Sequence, residues 1–220
     1  MRVIDTYEEL RVVTRVWRAS LTPRLLVVMG PGGRGKTMAF RLLPPHPTSP
    51  RHMQVLSAKA TARGIFDAVA RWPNADLLLD DVPVLGASHR AEMSVLKALA
   101  DTTSARSLTW TARGRTEYVR PTGGVAVVSN WTPARIHGDY DVEAVLDRAD
   151  VVYFDPPKPE MMSYLRTYAR DAAVLALLDA MPRMPSLRVY EHALAYRQAA
   201  KTGACAPDYW QRYLVSQCVP

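Results

Sequence analysis

A chain of 220 residues, 48% of them hydrophobic, is long enough for one core domain with a small appendage and apolar enough to bury a real core. Its formal net charge of +7 favours a polyanionic partner such as nucleic acid. The two cysteines, Cys205 and Cys218, fall in no CxxC or Cys/His cluster, and no apolar run is long enough for a membrane span or a signal-peptide core, which excludes a disulfide scaffold, a zinc module and a membrane protein and leads us to expect a cytoplasmic protein.

Thr6 and Glu9 have the spacing of a capping box and open a helix expected to run to about Arg18. Residues 24–29 (RLLVVM) predict a buried strand, and residues 36–43 have the composition of a helix's first turns. Pro44, Pro45, Pro47 and Pro50 end that helix and force an extended connection. A second strand is expected over 53–57 and a helix over 61–72, closed by Pro73-Asn74. The apolar run 76–81 is followed by a helix over about 90–100. Two β-rich runs, 107–111 and 116–120, joined by residues 112–115, predict a hairpin. Buried strands follow at 125–129 and 151–154, and helices near 158–180, 186–201 and 207–216. Strands alternating with helices predict an α/β fold with a mainly parallel sheet, here divided into a core over 1–155 and a C-terminal helical lid over 156–220.

Between the first long strand and its helix, residues 30–37 read Gly30-Pro31-Gly32-Gly33-Arg34-Gly35-Lys36-Thr37, a full match to the phosphate-binding pattern G-x-x-x-x-G-K-[ST]. Glycines let the backbone curl so that successive N–H groups converge on a polyphosphate, and the helix N-terminus adds partial positive charge. Lys36 is then expected to reach the β- and γ-phosphates of ATP, with the Thr37 hydroxyl on Mg²⁺. A bare glycine-rich turn is the plain alternative, and the flanking strand and helix argue against it.

Residues 75–82 (ADLLLDDV) form an apolar strand ending in two carboxylates. Asp80 is expected to hold Mg²⁺ through water, and Asp81 to polarise the water that attacks the γ-phosphate. Residues 125–131 (VAVVSNW) form another buried strand with an amide at its exit. In an open parallel sheet, neighbouring strand ends line one crevice, so Asn130 is expected beside Asp81, where an uncharged amide orients water without competing for its proton. The five histidines, His46, His52, His89, His137 and His192, are scattered without metal-ligand spacing and are read as structural or surface residues.

These three motifs, GPGGRGKT at 30–37, LLLDD at 77–81 and VAVVSN at 125–130, resemble those of AAA+ P-loop ATPases, and among them the superfamily 3 helicases of small replicons and viruses. The resemblance spans most of residues 20–200. It includes a glycine-containing basic hairpin segment, here 112–124 (ARGRTEYVRPTGG), just before the third motif. It implies an AAA+-like fold, a Mg²⁺-dependent ATPase and an oligomer, a hexameric ring or a nucleotide-dependent filament, acting on DNA, with room for other replication proteins as partners. Asn130 would be the sensor 1 residue. Arg148, just before the strand VVYF, is similar to an arginine finger that acts on a neighbour's γ-phosphate, and Arg188 after Pro185-Ser186-Leu187 is similar to sensor 2. One departure is that many AAA+ proteins carry Asp-Glu where this chain has Asp80-Asp81, and no nicking or primase domain accompanies the motor.

For the nucleic acid, taken as single-stranded DNA, the expected contacts are Arg113, Arg115 and Arg120 on the hairpin, with Trp110 and Tyr118 as stacking groups. The leading expectation is a superfamily 3-like helicase motor in replication. The rivals are a helicase loader or initiator ATPase that binds DNA without unwinding it, a protein-remodelling AAA+ ATPase, and a small-molecule kinase. The chain lacks the N-K-x-D base-reading motif of a GTPase.

Overall fold

The computed structural model describes residues 1–19, 25–43, 52–57, 60–82, 87–101, 106–132, 140–184 and 186–218. Arg24, the prolines between 44 and 50, Pro185, His46 and His137 lie outside the described residues. Two units are distinguished: one comprises residues 1–4, 8–31 and 36–154, the other residues 5–7, 32–35 and 155–220.

Along the chain the first unit carries β1 (Arg2–Ile4), most of α1 (Tyr7–Ala19), β2 (Leu25–Met29), α2 (Lys36–Arg41), β3 (Met53–Ser57), α3 (Ala62–Arg71), β4 (Asp76–Asp80), a 3-10 turn (Ala87–His89), α4 (Arg90–Leu99), β5 (Leu108–Ala112), β6 (Arg115–Val119), β7 (Val125–Val128), α5 (Tyr140–Leu146) and β8 (Ala149–Phe154). Six of the strands form a parallel sheet in the order β1-β8-β2-β7-β4-β3. All residues of β2 and β7 are buried, the pattern of strands covered on both faces. Leu25, Val27, Leu77, Leu79, Val125 and Val127 share one cluster with Ile65 and Phe66 of α3, Leu96 and Leu99 of α4, and Val142 and Val145 of α5. The alternate residues Leu26, Val28, Leu78 and Ala126 point to the opposite face and are equally buried. α1 and α2 bury Leu10, Trp17 and Phe40, with the Trp17 and Phe40 rings edge to face at 5.7 Å. Full burial of one such side chain contributes about 1.5–3 kcal/mol, so this two-faced packing fixes the sheet that carries the motifs.

The chain leaves β2, builds β3 at the sheet edge, returns to β4, and only then inserts β7 between β2 and β4. That order brings the exits of β2, β7 and β4 side by side, the position where open α/β sheets bind ligands. β1 and α5 are absent from the sequence expectation. Three residues of β1 carry too little pattern to read, and they become a strand because β8 supplies a partner, Val3 facing Tyr153.

β5 and β6 make the expected hairpin, with strands that reach further toward the tip than the run boundaries suggest. The turn is the two residues Arg113 and Gly114, with φ of 50° and 72°, the left-handed pair that matches strand twist in tight hairpins. Its base is clamped. Buried Arg106 donates from Nη1 to the Leu99 carbonyl at 2.6 Å, from Nε and Nη2 to that of Pro121 at 3.1 and 2.8 Å, and from Nη2 to that of Gly123 at 2.6 Å. On the far side a strap runs into β7 against Ala75, so close that a Cβ on Gly123 would stand 1.8 Å from the Ala75 carbonyl oxygen. Beneath it, Asp76 accepts from the Gly124 N–H at 2.9 Å and pairs with Arg18 of α1 at 3.4 Å, both side chains buried.

The second unit carries α6 (Lys158–Tyr168), α7 (Ala172–Ala180), α8 (Arg188–Lys201) and α9 (Tyr209–Cys218). The single helix expected over 158–180 is broken at Asp171. Its carboxylate accepts from the Ala173 and Val174 N–H groups at 3.2 and 3.1 Å, capping α7 and satisfying donors a continuous helix would have used internally. Arg197 of α8 pairs with the same carboxylate and holds the break against the following helix. Among the described residues, no helix is long and apolar enough to cross a membrane.

Candidate functional site

Lys36 opens α2 and is buried at 4% exposure. A buried ammonium needs partners, and its Nζ donates to the carbonyls of Gly30 at 2.8 Å and Pro31 at 2.6 Å, and to Oδ1 of Asn130 at 3.1 Å. The other end of the Asn130 amide donates to the Asp81 carboxylate at 3.0 Å. Next to this chain, the Thr37 hydroxyl donates to Asp80 at 2.7 Å. The exits of three strands are thus joined by two hydrogen-bonded paths, Thr37 to Asp80 and Lys36 through Asn130 to Asp81.

Asp80 ends β4 and Asp81 follows with φ of 54°, a left-handed conformation that non-glycine residues rarely take and that Asp and Asn tolerate best. The Asp81 N–H is spent on the Val128 carbonyl of β7 at 3.0 Å, which holds the turn. This backbone gives a physical reason for aspartate where many AAA+ proteins have glutamate, since a short side chain can turn back toward Asn130. Thr37 and Asp80 together offer hard oxygen donors suited to Mg²⁺. No group of three or more His, Cys, Asp or Glu among the described residues could hold a metal ion by itself.

The apex of the loop, residues 32–35, is grouped with the second unit. There the Leu187 N–H donates to the Gly33 carbonyl at 2.8 Å, and the Tyr7 hydroxyl to the Arg34 carbonyl at 3.0 Å. Burial, reinforced by Tyr164 and Tyr168, pushes the Tyr7 phenol far above its ordinary range, so it remains a donor. The Arg34 guanidinium, expected among the phosphate contacts, is engaged by the Met184 carbonyl at 3.0 Å and Asp155 at 3.3 Å. Arg188, the first residue of α8, is exposed, and its backbone N–H bonds Ser186 Oγ at 3.2 Å.

Arg148 is exposed and bonds the Ala144 carbonyl of its own helix turn at 2.5 Å. Its position is set by register. The next residue, Ala149, faces Leu25 at the start of β2, whereas the phosphate loop leaves β2 after Met29. At about 3.3 Å per residue, Ala149 sits roughly 17 Å along the strands from the loop's first residue, and Arg148 precedes it. Neighbouring Asp150 is paired with Arg2 at 3.4 Å.

The hairpin leaves Arg113, Arg115 and Arg120 exposed. Tyr118 is 55% exposed and bonded to Arg120, whose guanidinium lies 5.5 Å from the ring centre. Trp110 differs from its expected stacking role. It packs on the core cluster, its ring 5.9 Å from Phe66, and Arg63 stands 5.6 Å from its centre while bonding Glu117 at 2.8 and 3.0 Å. Sequence reasoning missed Arg63 and Arg106, because a basic residue that braces a hairpin looks like any other until its acceptors are placed.

A parallel α/β sheet with a phosphate-loop sequence, a paired-acid strand end and an amide strand end at adjacent exits defines an AAA+-like P-loop fold. No protein-family model matches the sequence, and no curated protein matches it. Solved structures do. Domain III of the Thermotoga maritima replication initiation protein DnaA superposes with TM-score 0.58 at 13% identity, covering 97% of this chain and 92% of that one. The Aeropyrum pernix ORC2 protein in its ADP form gives 0.59 at 15% identity, over 94% of this chain and 67% of that one. NtrX from Brucella abortus in complex with ATP gives 0.54 at 14% identity, over 93% and 54%. At such identities the likeness establishes the fold.

Proposed function

We propose that the protein is a Mg²⁺-dependent ATPase of the replication-initiator kind, which binds ATP at residues 30–37 and assembles on DNA. The observation that carries this is the path from Lys36 through Asn130 to Asp81, which ties a phosphate-binding cation to a carboxylate able to activate water. Two of the similar folds were solved with ADP or ATP, and two are named as DnaA and ORC2 proteins, which supports a nucleotide and a role in replication.

In the reaction, the loop N–H groups and Lys36 hold the β- and γ-phosphates in place. Thr37 and Asp80 would hold Mg²⁺, which when bound would neutralise charge on the phosphate oxygens. Asp81, oriented by Asn130, accepts a proton as a water oxygen bonds to the γ-phosphorus. The bond from that phosphorus to the bridging oxygen breaks, leaving ADP and inorganic phosphate. Arg148 lies too far along the strands to serve its own loop, so its role is on a neighbouring subunit's nucleotide, and Arg188 contacts the γ-phosphate from its own chain.

A second reading, a superfamily 3-like helicase working as a hexameric ring on single-stranded DNA, is favoured by the basic, braced hairpin with Arg113, Arg115 and Arg120. Both readings are tested by the ATPase rate with and without single-stranded DNA, sizing in a non-hydrolysable ATP analogue, and a strand-displacement assay. DNA stimulation with nucleotide-dependent assembly supports an ATPase acting on DNA, and displacement selects the helicase. A monomer whose ATPase ignores DNA overturns both.

A further inference from the structure

Arg34 occupies a variable position of the phosphate loop, yet its side chain is committed elsewhere. The guanidinium is 17% exposed and meets the Met184 carbonyl at 3.0 Å, the Met161 sulfur at 2.7 Å and the Asp155 carboxylate at 3.3 Å. Its own carbonyl is held by Tyr7, whose N–H in turn donates to Glu160 at 2.9 Å and whose ring stacks on Tyr164 at 3.9 Å. One residue before it, Gly33 gives its carbonyl to the Leu187 N–H and lies so near Ser186 that a Cβ there would come within 2.4 Å of the serine Cβ. Leu187 immediately precedes α8 and Arg188.

We infer that Arg34 is a positioning residue that couples the conformation of the phosphate loop to Met184 and Leu187 and so to the start of α8. The inference rests on the nucleotide reading above. A loop that rearranges around a polyphosphate moves its apex, and there Leu187 holds the Gly33 carbonyl, Tyr7 holds the Arg34 carbonyl, and Met184, Met161 and Asp155 hold the Arg34 side chain. The planar guanidinium can hold Met184 and Asp155 together, which a lysine ammonium at the end of a flexible stem does less well. Arg34 thereby converts an event at the phosphates into a change at Arg188, without touching the phosphates through its side chain.

The test is hydrogen exchange by mass spectrometry on the full chain, with and without Mg²⁺ and a non-hydrolysable ATP analogue, for wild type, Arg34→Gln, Arg34→Lys and Asp155→Asn. Without nucleotide, Arg34→Gln and Asp155→Asn should exchange about tenfold faster over 186–201. With analogue, the wild type should slow over the same segment, whereas Arg34→Gln should bind within about threefold of wild-type affinity and not slow. The ATPase kcat of Arg34→Gln should fall about tenfold with KM within about threefold, and Arg34→Lys should recover part of the protection. A wild type that does not bind the analogue overturns the nucleotide reading and the coupling with it. A wild type and an Arg34→Gln variant that bind and slow equally overturn the coupling alone.

Discussion

The Thr37 hydroxyl donates a 2.7 Å hydrogen bond to Asp80 although the strands that deliver these residues are not neighbours. β7 lies between β2 and β4, and it places Asn130 between Lys36 and Asp81 in the same way. The first prediction follows from that arrangement. Lys36→Ala should abolish tight nucleotide binding if, as proposed, this buried cation is the group that holds the phosphates. Asp81→Asn should keep binding and lose hydrolysis by about 10²-fold or more, the usual scale for a lost general base. Equilibrium binding of a fluorescent ATP analogue beside steady-state phosphate release separates the two, and near wild-type turnover in Asp81→Asn removes Asp81 from the chemistry.

The left-handed backbone at Asp81 has its own signature. Asp81→Gly and Asp81→Ala both delete the carboxylate, but only glycine fits φ of 54° without strain. Asp81→Gly should therefore be more stable than Asp81→Ala by about 1 kcal/mol in chemical denaturation. Equal stability would mean that the turn relaxes freely.

Changing Arg113, Arg115 and Arg120 together to Ala should weaken DNA binding and flatten its salt dependence, by roughly 0.7 to 0.9 log-log units for each phosphate no longer neutralised. Titrations at several salt concentrations measure this. An unchanged slope would move the DNA-binding surface off the hairpin.

Arg106→Met should cost about 3 kcal/mol or more in unfolding free energy, since it strips donors from the buried carbonyls of Leu99, Pro121 and Gly123. Arg63→Met, at a solvent-exposed brace with Glu117 and Asp67, should cost far less than Arg106→Met. Urea denaturation ranks the two, and a reversed order would contradict the clamp.

Arg148→Ala should keep nucleotide affinity and lose most hydrolysis, and Arg148→Lys should recover little, because lysine lacks the planar fork. Mixing Arg148→Ala with Lys36→Ala subunits should restore activity, since only mixed interfaces unite an intact loop with an intact arginine. A mixture that stays inactive while its subunits demonstrably exchange shows that Arg148 does not act in trans.

Signals that repeat or punctuate were legible in the chain itself. The apolar runs of β2, β4 and β7 and the loop sequence at 30–37 follow from local chemistry. The proximity of Asn130 to Asp81 could be anticipated because a parallel sheet gathers strand exits. What stayed hidden depends on tertiary partners. β1 needs β8, the fate of Trp110 depends on Phe66 and Arg63, and the break at Asp171 required knowing that a capping carboxylate would prevail over an otherwise continuous helical pattern. The Arg34 side chain was hidden for the same reason, because its partners at Asp155 and Met184 lie more than a hundred residues away.

The strap at Gly123 and the amide at Asn130 flank the two ends of one short strand. β7 is bonded on both sides, to β2 and to β4, and each of its four residues is buried. Sliding it would break both ladders at once, so it behaves as a stiff rod set in the middle of the sheet. With its base locked by Arg106 and its flank by Arg63, the hairpin is not an independent arm. Displacing its base would cost the Arg106 hydrogen bonds and both ladders of β7 together, so the root of the hairpin moves only with the sheet.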